Sequence, residues 1–347
     1  MATRAKPNLK QVAELAGVSE ATVDRVLNGR GGVRPAKEAS VLKAAKELNI
    51  DRNLQLVPLK PLRFAVLMHH PERFFYKRIY DAIDEYQKIR SIDQFTCNFL
   101  YFPSQTPEVI RSRIQSIRGG FDGAIIVAYD HPFINDALQE LAQQMPLVTI
   151  ISDLPNCGRS QYIGEDNRKA GRLAADMMAR FAPNENGDIL ILSGNPSYLA
   201  HAERETGFRQ VISSKYPKLS TRHILQCKEG KENHQKNIQS LASYMNAHAP
   251  FLGIYNISQW NADLVSELKT TYDFKDTIFI SHGLTLNSRE MLIEGVLDAV
   301  IDHEPEYCAQ AAVDTLLEHH SRIPSSKNKR NKFLEIYMQE RLPENWP

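Results

Sequence analysis

Cysteine is scarce in this sequence. The four, at 97, 157, 227 and 308, form no CxxC pair and no group with metal-ligand spacing. That argues against a disulfide scaffold or a zinc site and fits a reducing cytoplasm. Long apolar runs are also missing: none approaches the roughly 18 residues a spanning helix needs, so no membrane partner is expected. The basic N-terminal stretch MATRAKPNLKQVAE has no apolar core behind it and does not read as a secretory signal. Catalytic signatures are equally absent. There is no GxSxG elbow, no GxxxxGK[ST] phosphate loop and no GxGxxG opening a βαβ unit. Gly29-Arg30-Gly31-Gly32 is glycine-rich, but no strand precedes it. His69-His70 and His319-His320 are adjacent pairs, and neighbours on a strand or helix point apart, so neither makes a natural metal site. The expectation is a protein that is not an enzyme, with no metal and no cofactor.

What is present is ordinary in bulk and uneven in distribution. Over 347 residues, 42% are hydrophobic and 24% charged, a globular balance with enough chain for two or three domains. The net charge is +1. Residues 1–60 hold 11 basic and 6 acidic side chains, and the rest of the chain holds 31 and 35. A basic head on a mildly acidic body implies two different partners.

The head reads as three short helices. Residues 9–16, LKQVAELA, place Leu9, Val12, Ala13, Leu15 and Ala16 on one stripe, and Gly17 supplies the left-handed residue that ends such a helix. Ser19 is a good N-cap for Glu20–Asn28, whose period runs through Ala21, Val23, Val26 and Leu27. A third helix is predicted from Pro35 to about Asn49, with Ala39, Val41, Leu42, Ala45 and Leu48 inward. Two short helices joined by Ala-Gly-Val-Ser make a helix-turn-helix, whose second helix can enter a DNA major groove; a plain three-helix cap has the same outline. The positive charge and the outward Arg25 favour DNA.

The stretch VAELAGVSEATVDRVLNG resembles the N-terminal signature of the lactose-repressor (LacI) family of bacterial regulators, VAxxAGVSxxTVSRVLN. One departure lies inside it, Asp24 in place of the usual Ser. The resemblance implies that Glu20 and Ala21 read base edges and that Arg25 forks onto guanine, a contact worth about 1–3 kcal/mol of discrimination. Ser19, Thr22 and Asn28 then hold phosphates and set the register, with Arg30 a loop charge near the backbone. It also implies a hinge helix of the form NxxAxxL, with Leu59 as a minor-groove wedge. Here Leu56 replaces the alanine and Pro58 precedes the wedge, so an extended tether is expected instead.

Beyond residue 61, short apolar runs alternate with amphipathic windows. Runs at 62–68, 95–102, 122–128, 146–151, 187–194, 222–227, 251–257, 277–283 and 297–302 read as buried strands, with a further apolar strand in the tail, LEIYM. Windows such as 75–89, 106–118, 133–144, 166–181, 201–216, 235–247 and 260–272 read as helices. Such alternation predicts an α/β fold with parallel sheets covered on both faces, and nine strands suit two lobes better than one. Ligands of such folds bind beyond the C-terminal strand ends.

This body resembles the family's effector domain, itself similar to periplasmic sugar-binding proteins. YIGEDNRKAGRLAADMM and ERETGFRQVI carry the likeness. The implied organisation is a helix-turn-helix head over 1–52, a linker over 53–61 and a two-lobed effector and dimerisation domain over 62–347. The implied effector contacts are Arg204, Asn256, Asp153, His282 in place of a usual Asp, and His303 in place of a usual Gln. His69, His70, Phe74 and Phe75 follow the first strand and Tyr129 the third. Aromatic rings mixed with amide and charged groups suit a carbohydrate-like ligand. The expected protein is a cytoplasmic, homodimeric repressor that binds double-stranded operator DNA under control of a sugar, polyol or sugar acid. The alternative is a solute-binding protein without DNA regulation.

Overall fold

The computed structural model describes residues 8–27, 32–48, 60–71, 74–104, 106–117, 119–227, 233–269, 272–325 and 334–343. Asn28, Arg30, Pro58 and Leu59 lie outside the described residues. The head contains α1 (Leu9–Ala16), α2 (Glu20–Leu27) and α3 (Pro35–Glu47). Val12, Ala13, Val23, Val26, Val41, Ala44 and Ala45 form its small core. Leu9 and Leu15, read above as inward, are 41% and 53% exposed. An eight-residue helix against two partners buries only the strip centred on Val12, and the flanking leucines fall outside it.

The first sheet is built from β1 (Leu62–His69), β2 (Phe95–Phe102), β3 (Gly123–Ile126), β4 (Leu147–Ile150) and β5 (Gln161–Ile163). Its order is β2-β1-β3-β4-β5, and every pair is parallel. α4 (Phe74–Ile89), α5 (Pro107–Gln115) and α6 (Pro132–Ala142) connect the first four strands, and α7 (Asn167–Phe181) follows the fifth. The second sheet contains β6 (Gly187–Ser193), β7 (Leu219–Gln226), β8 (Gly253–Asn256), β9 (Ile278–His282), β10 (Ala299–Asp302) and β11 (Glu335–Tyr337), in the order β11-β10-β9-β8-β6-β7. Among the described residues only β11 runs antiparallel, as an edge. Its connections are α8 (Leu199–Lys215), α9 (His234–His248), α10 (Trp260–Leu268) and α11 (Leu286–Ile293), and α12 (Pro305–His319) follows β10.

Strand alternation decides which helices cover which face. On β1, Phe64, Val66 and Met68 join the core under α4 and α12, whereas Ala65 and Leu67 join the core under α5 and α6. In the second lobe, Ile189 and Ile191 pack with α7 and α8, and Leu190 and Leu192 pack with α9, α10 and α11. Each fully buried Ile or Leu contributes about 1.5–3 kcal/mol, and both lobes bury many of them.

Because α12 packs on the first sheet while β10 and β11 lie in the second, the chain crosses between lobes three times. The first crossing, between β5 and α7, carries Glu165. The second, between β10 and α12, carries His303 and Glu304, the latter at a φ of 42°. Glu304 is the strained point of that crossing, since a side chain rarely adopts a positive φ.

Candidate functional site: the reading helix and the interlobe cleft

In the head, local capping sets the geometry. The Asn8 side chain accepts from Gln11 N, and Gln11 returns a bond to Asn8 N, a reciprocal cap that starts α1. Gly17, at a φ of 64°, ends it in the conformation anticipated above. Ser19 Oγ accepts from Thr22 N at 3.3 Å and lies 2.9 Å from the Thr22 hydroxyl, which starts α2. Val23 and Val26 face the core, which leaves Ser19, Glu20, Ala21 and Arg25 exposed and Thr22 half-buried. The Arg25 guanidinium rests beside Gly32, where an added Cβ would come within 2.7 Å of its Nη2. The candidate reading residues that fall among the described ones therefore share one open face.

Between the lobes, the loop joining β6 to α8 rests on the strand ends of the first sheet. Tyr198 Oη lies 3.3 Å from His69 Nε2, Ala200 N donates to Ser152 Oγ at 3.3 Å, and Asp130 N donates to Ser197 O at 2.9 Å. His69 is buried edge-on to Tyr76 and Phe102, and the Tyr129 ring sits 5.8 Å from that of Tyr198. These contacts join the two lobes at this edge.

The second lobe supplies the polar groups. Arg204 is buried on α8, where Nη1 donates to Ile257 O at 3.0 Å and Nη2 to Glu165 Oε1 at 2.7 Å. Asn256, at the end of β8, donates to Ser281 Oγ at 2.8 Å, and His282, at the end of β9, places Nε2 2.9 Å from Tyr255 Oη. The His303 ring packs 5.3 Å from Phe75 of α4. Glu165 Oε2, Arg204 Nε, Asn256 Oδ1, His282 Nδ1, Gln259 Nε2 and both ring nitrogens of His303 are buried without a hydrogen-bond partner. Native interiors rarely leave such atoms unsatisfied, and Asn256, Gln259, His282 and His303 all lie at or just after the C-terminal ends of strands in the second sheet.

Burial controls the charges here. It pushes the His303 and His201 imidazoles down to about 3 and His282 well below its ordinary value, with Arg204 adding to the effect at each. His201 was missed above; its Nδ1 lies 3.0 Å from Asn195 O. Burial raises the Glu165 carboxyl, opposed by the nearby Arg204 guanidinium. Burial alone would raise Asp302 too, but Arg78 holds it below the usual carboxylate range.

Arg78 lies on α4 of the first lobe and reaches across to Asp302 Oδ2 at 3.1 Å, Leu284 O at 3.1 Å and Glu306 Oε2 at 2.8 Å. It fixes the second crossing next to His303, and it too was missed.

Two glycines place Arg204. An added Cβ at Gly171 would lie 1.9 Å from Arg204 O, and one at Gly207 would lie 2.1 Å from Arg168 O. These are the glycines of the KAGR and ETGF motifs. They let α7 and α8 meet backbone to backbone, so Arg204 is held against the helix that begins just after Glu165.

The remaining candidates have other neighbours. His70 is exposed, its ring tilted against that of Tyr101 at 4.7 Å, and Phe74 is half-buried. Asp153 is taken up within its own loop: Arg159 Nη2 donates to Oδ2 at 2.6 Å, Arg159 Nε and Thr149 Oγ1 to Oδ1, and Leu154 N to Oδ1 at 2.7 Å. A hollow of about 530 Å³ between Tyr272, Phe274 and Val296 opens at the N-terminal edge of the second sheet, away from these groups. Among the described residues no helix is long and apolar enough to cross a membrane.

Comparison with known proteins agrees with both parts. Residues 8–53 match bacterial regulatory proteins of the lacI family, and residues 64–321 match the periplasmic binding protein domain. The HTH-type transcriptional repressor PurR of Vibrio parahaemolyticus is 26% identical over 212 residues, 59% of this chain and 60% of the relative. The chain thus spans about three fifths of that relative's length. The maltose regulon regulatory protein MalI of Escherichia coli is 25% identical over 251 residues, covering 70% and 69%. A solved solute-binding protein from Burkholderia graminis, in complex with D-arabinose, shares the fold at a TM-score of 0.71 and 17% identity, covering 81% of this chain and 96% of that one. The chain belongs to the family of the periplasmic binding protein domain, and its residues 8–53 are similar to bacterial regulatory proteins of the lacI family.

Proposed function

We propose that the protein is a cytoplasmic, homodimeric transcriptional repressor that binds double-stranded operator DNA through α2 and releases or grips it according to a small polar effector in the interlobe cleft. Members of the lacI family are regulators, not enzymes. One observation carries the reading: a chain with an exposed helix-turn-helix face also buries unpartnered polar atoms at the ligand end of its second sheet. Two heads are needed because half-sites one helical turn apart require two recognition helices. Arg204, Asn256, His282 and His303 are the proposed effector contacts, with Glu165 added to them. Domain limits of 1–52, 53–61 and 62–347 belong to the same reading.

For the device to switch, the effector must favour one lobe arrangement over the other, and coupling of about 1–3 kcal/mol is typical. A thermal-shift screen of sugars, polyols and sugar acids identifies the ligand, since a bound molecule raises the melting temperature. Adding a hit to the protein–DNA complex should then change DNA affinity about 5- to 150-fold. A hit that leaves DNA affinity unchanged contradicts the proposal. A solute-binding role has no use for the exposed reading helix.

A further inference from the structure

We propose that Ser152 of the first lobe caps the N-terminus of α8 in the second, carried there by a strained turn at Ile151, so that separating the lobes uncaps the helix that bears Arg204.

The start of α8 shows what is missing. The helix begins at Leu199, and Tyr198, in the cap position, makes no side-chain cap bond. A helix leaves its first N–H groups without intrahelical partners, and a serine, threonine or aspartate in the cap position accepts from one of them. Tyr198 cannot do this; its hydroxyl lies 3.3 Å from His69 Nε2 in the first lobe. Tyr198 O accepts from His201 N at 2.9 Å and from Ala202 N at 3.3 Å. The Ala200 N–H, at the second helical position, donates to Ser152 Oγ at 3.3 Å, and Ser152 is 2% exposed. A serine hydroxyl thus fills the capping role from the other side of the lobe boundary.

The chain is bent to deliver that hydroxyl. Ile151 follows β4 at a φ of 70°, and Ser152 N donates to Ile150 O at 2.8 Å, closing a three-residue turn around it. A β-branched residue at positive φ is a backbone outlier, and such a residue persists only where its surroundings hold it. Here β5 holds both ends: Ile151 N donates to Ile163 O at 3.1 Å, and Ile151 O lies 3.0 Å from Tyr162 Oη. Relaxation of Ile151 to negative φ would turn Ser152 away from α8.

A second bond crosses the same boundary in the opposite direction. Asp130 N, in the first lobe, donates to Ser197 O, three residues before Ala200, at 2.9 Å. Lobes that move apart lose both bonds together. Arg204 lies four residues beyond Ala200, about one helical turn. The turn that Ser152 caps therefore leads directly into Arg204, and lobe position reaches the cleft through the order of that turn.

Amide hydrogen exchange resolved to single residues, on the full chain without added ligand, tests the cap. The bearing of the cap on effector response rests on the cleft being the effector site; the exchange readout does not, so the two fail separately. Loss of a capping hydroxyl shifts a helix equilibrium about fivefold. Ser152→Ala should therefore speed exchange at Ala200 at least about fivefold and at Asp130 by a similar factor, with the β6 amides as in the parent. Asp130 N bonds to Ser197 and not to Ser152, so a purely local loss would leave it unmoved. Ser152→Thr keeps the hydroxyl and should exchange like the parent at both amides. Ile151→Gly reaches positive φ without strain and should slow exchange at Ala200 relative to the β4 amides. Parent-like protection of Ala200 in Ser152→Ala overturns the cap, as does a folded Ser152→Thr that exchanges like Ser152→Ala. Faster exchange at Ala200 with Asp130 unmoved overturns the link between lobes. Faster exchange at Ala200 in Ile151→Gly, relative to β4, overturns the role of the turn.

Discussion

Arg204 on α8 donates to Glu165 on the first crossing between lobes at 2.7 Å, and both side chains are buried. This pair ties α8 to the first crossing between the lobes. Removing one partner of such a pair leaves an unpaired buried charge, which destabilises by about 3–5 kcal/mol. Arg204→Met should therefore lower the melting temperature and abolish the effector response while leaving DNA binding intact. The double variant Arg204→Met/Glu165→Gln should recover most of the stability and none of the response. Effector titration of both variants checks this, and an unchanged titration in Arg204→Met refutes the assignment.

Gly171→Ala tests how Arg204 is placed. Alanine is the better helix former by about 1 kcal/mol, but its Cβ would lie 1.9 Å from Arg204 O. Overpacking of this kind costs about 1–3 kcal/mol and here outweighs the propensity gain. Chemical denaturation should show net destabilisation together with weaker effector binding. A variant as stable as the parent would mean that the two helices do not need this contact.

Acid should open the cleft. Burial holds His201 and His303 at about 3, against an ordinary value of 6.5, and holds His282 well below it. An unfolded or open state binds protons at these imidazoles that the closed state refuses. The stability they contribute is therefore complete above about pH 6.5 and lost as pH falls toward 3. Effector affinity should weaken through the same window, and flat affinity between pH 7 and 5 would contradict it.

The fold was largely readable from residue pattern, and the exceptions have physical causes. β2 runs over Phe95–Phe102, as its apolar stretch indicated. β5, Gln161–Ile163, was missed because three residues with one buried apolar side chain give no periodic signal. Motif spacing pointed to Arg204 and Asn256, and both side chains are buried. It did not point to Glu165, which lies on a crossing between elements, at the variable place within IGEDN, and only the three-dimensional approach of α8 gives it a partner. Asp153, also expected in the cleft, bonds within its own loop, where an arginine six residues on donates to both of its oxygens. Arg78 looks like one more helix charge until β10 is brought beside it.

The head has its own test within the same molecule. Glu20→Ala removes an exposed carboxylate at the start of α2, where it can accept from a cytosine amino group. It should relax sequence preference at one base position by about 1–3 kcal/mol and leave the melting temperature unchanged. Competition binding against a set of single-base operator variants checks this, and an unchanged preference profile removes Glu20 from the reading set.

The proposal that α2 reads base sequence, with the cleft setting only the affinity, is tested by selection from a random duplex pool. The parent protein and Arg204→Met should both enrich the same pseudo-palindromic sequence, whereas Arg25→Ala should lose at least about 1 kcal/mol of affinity for it. Failure of the parent to enrich any sequence, or equal enrichment by Arg25→Ala, would contradict the claim.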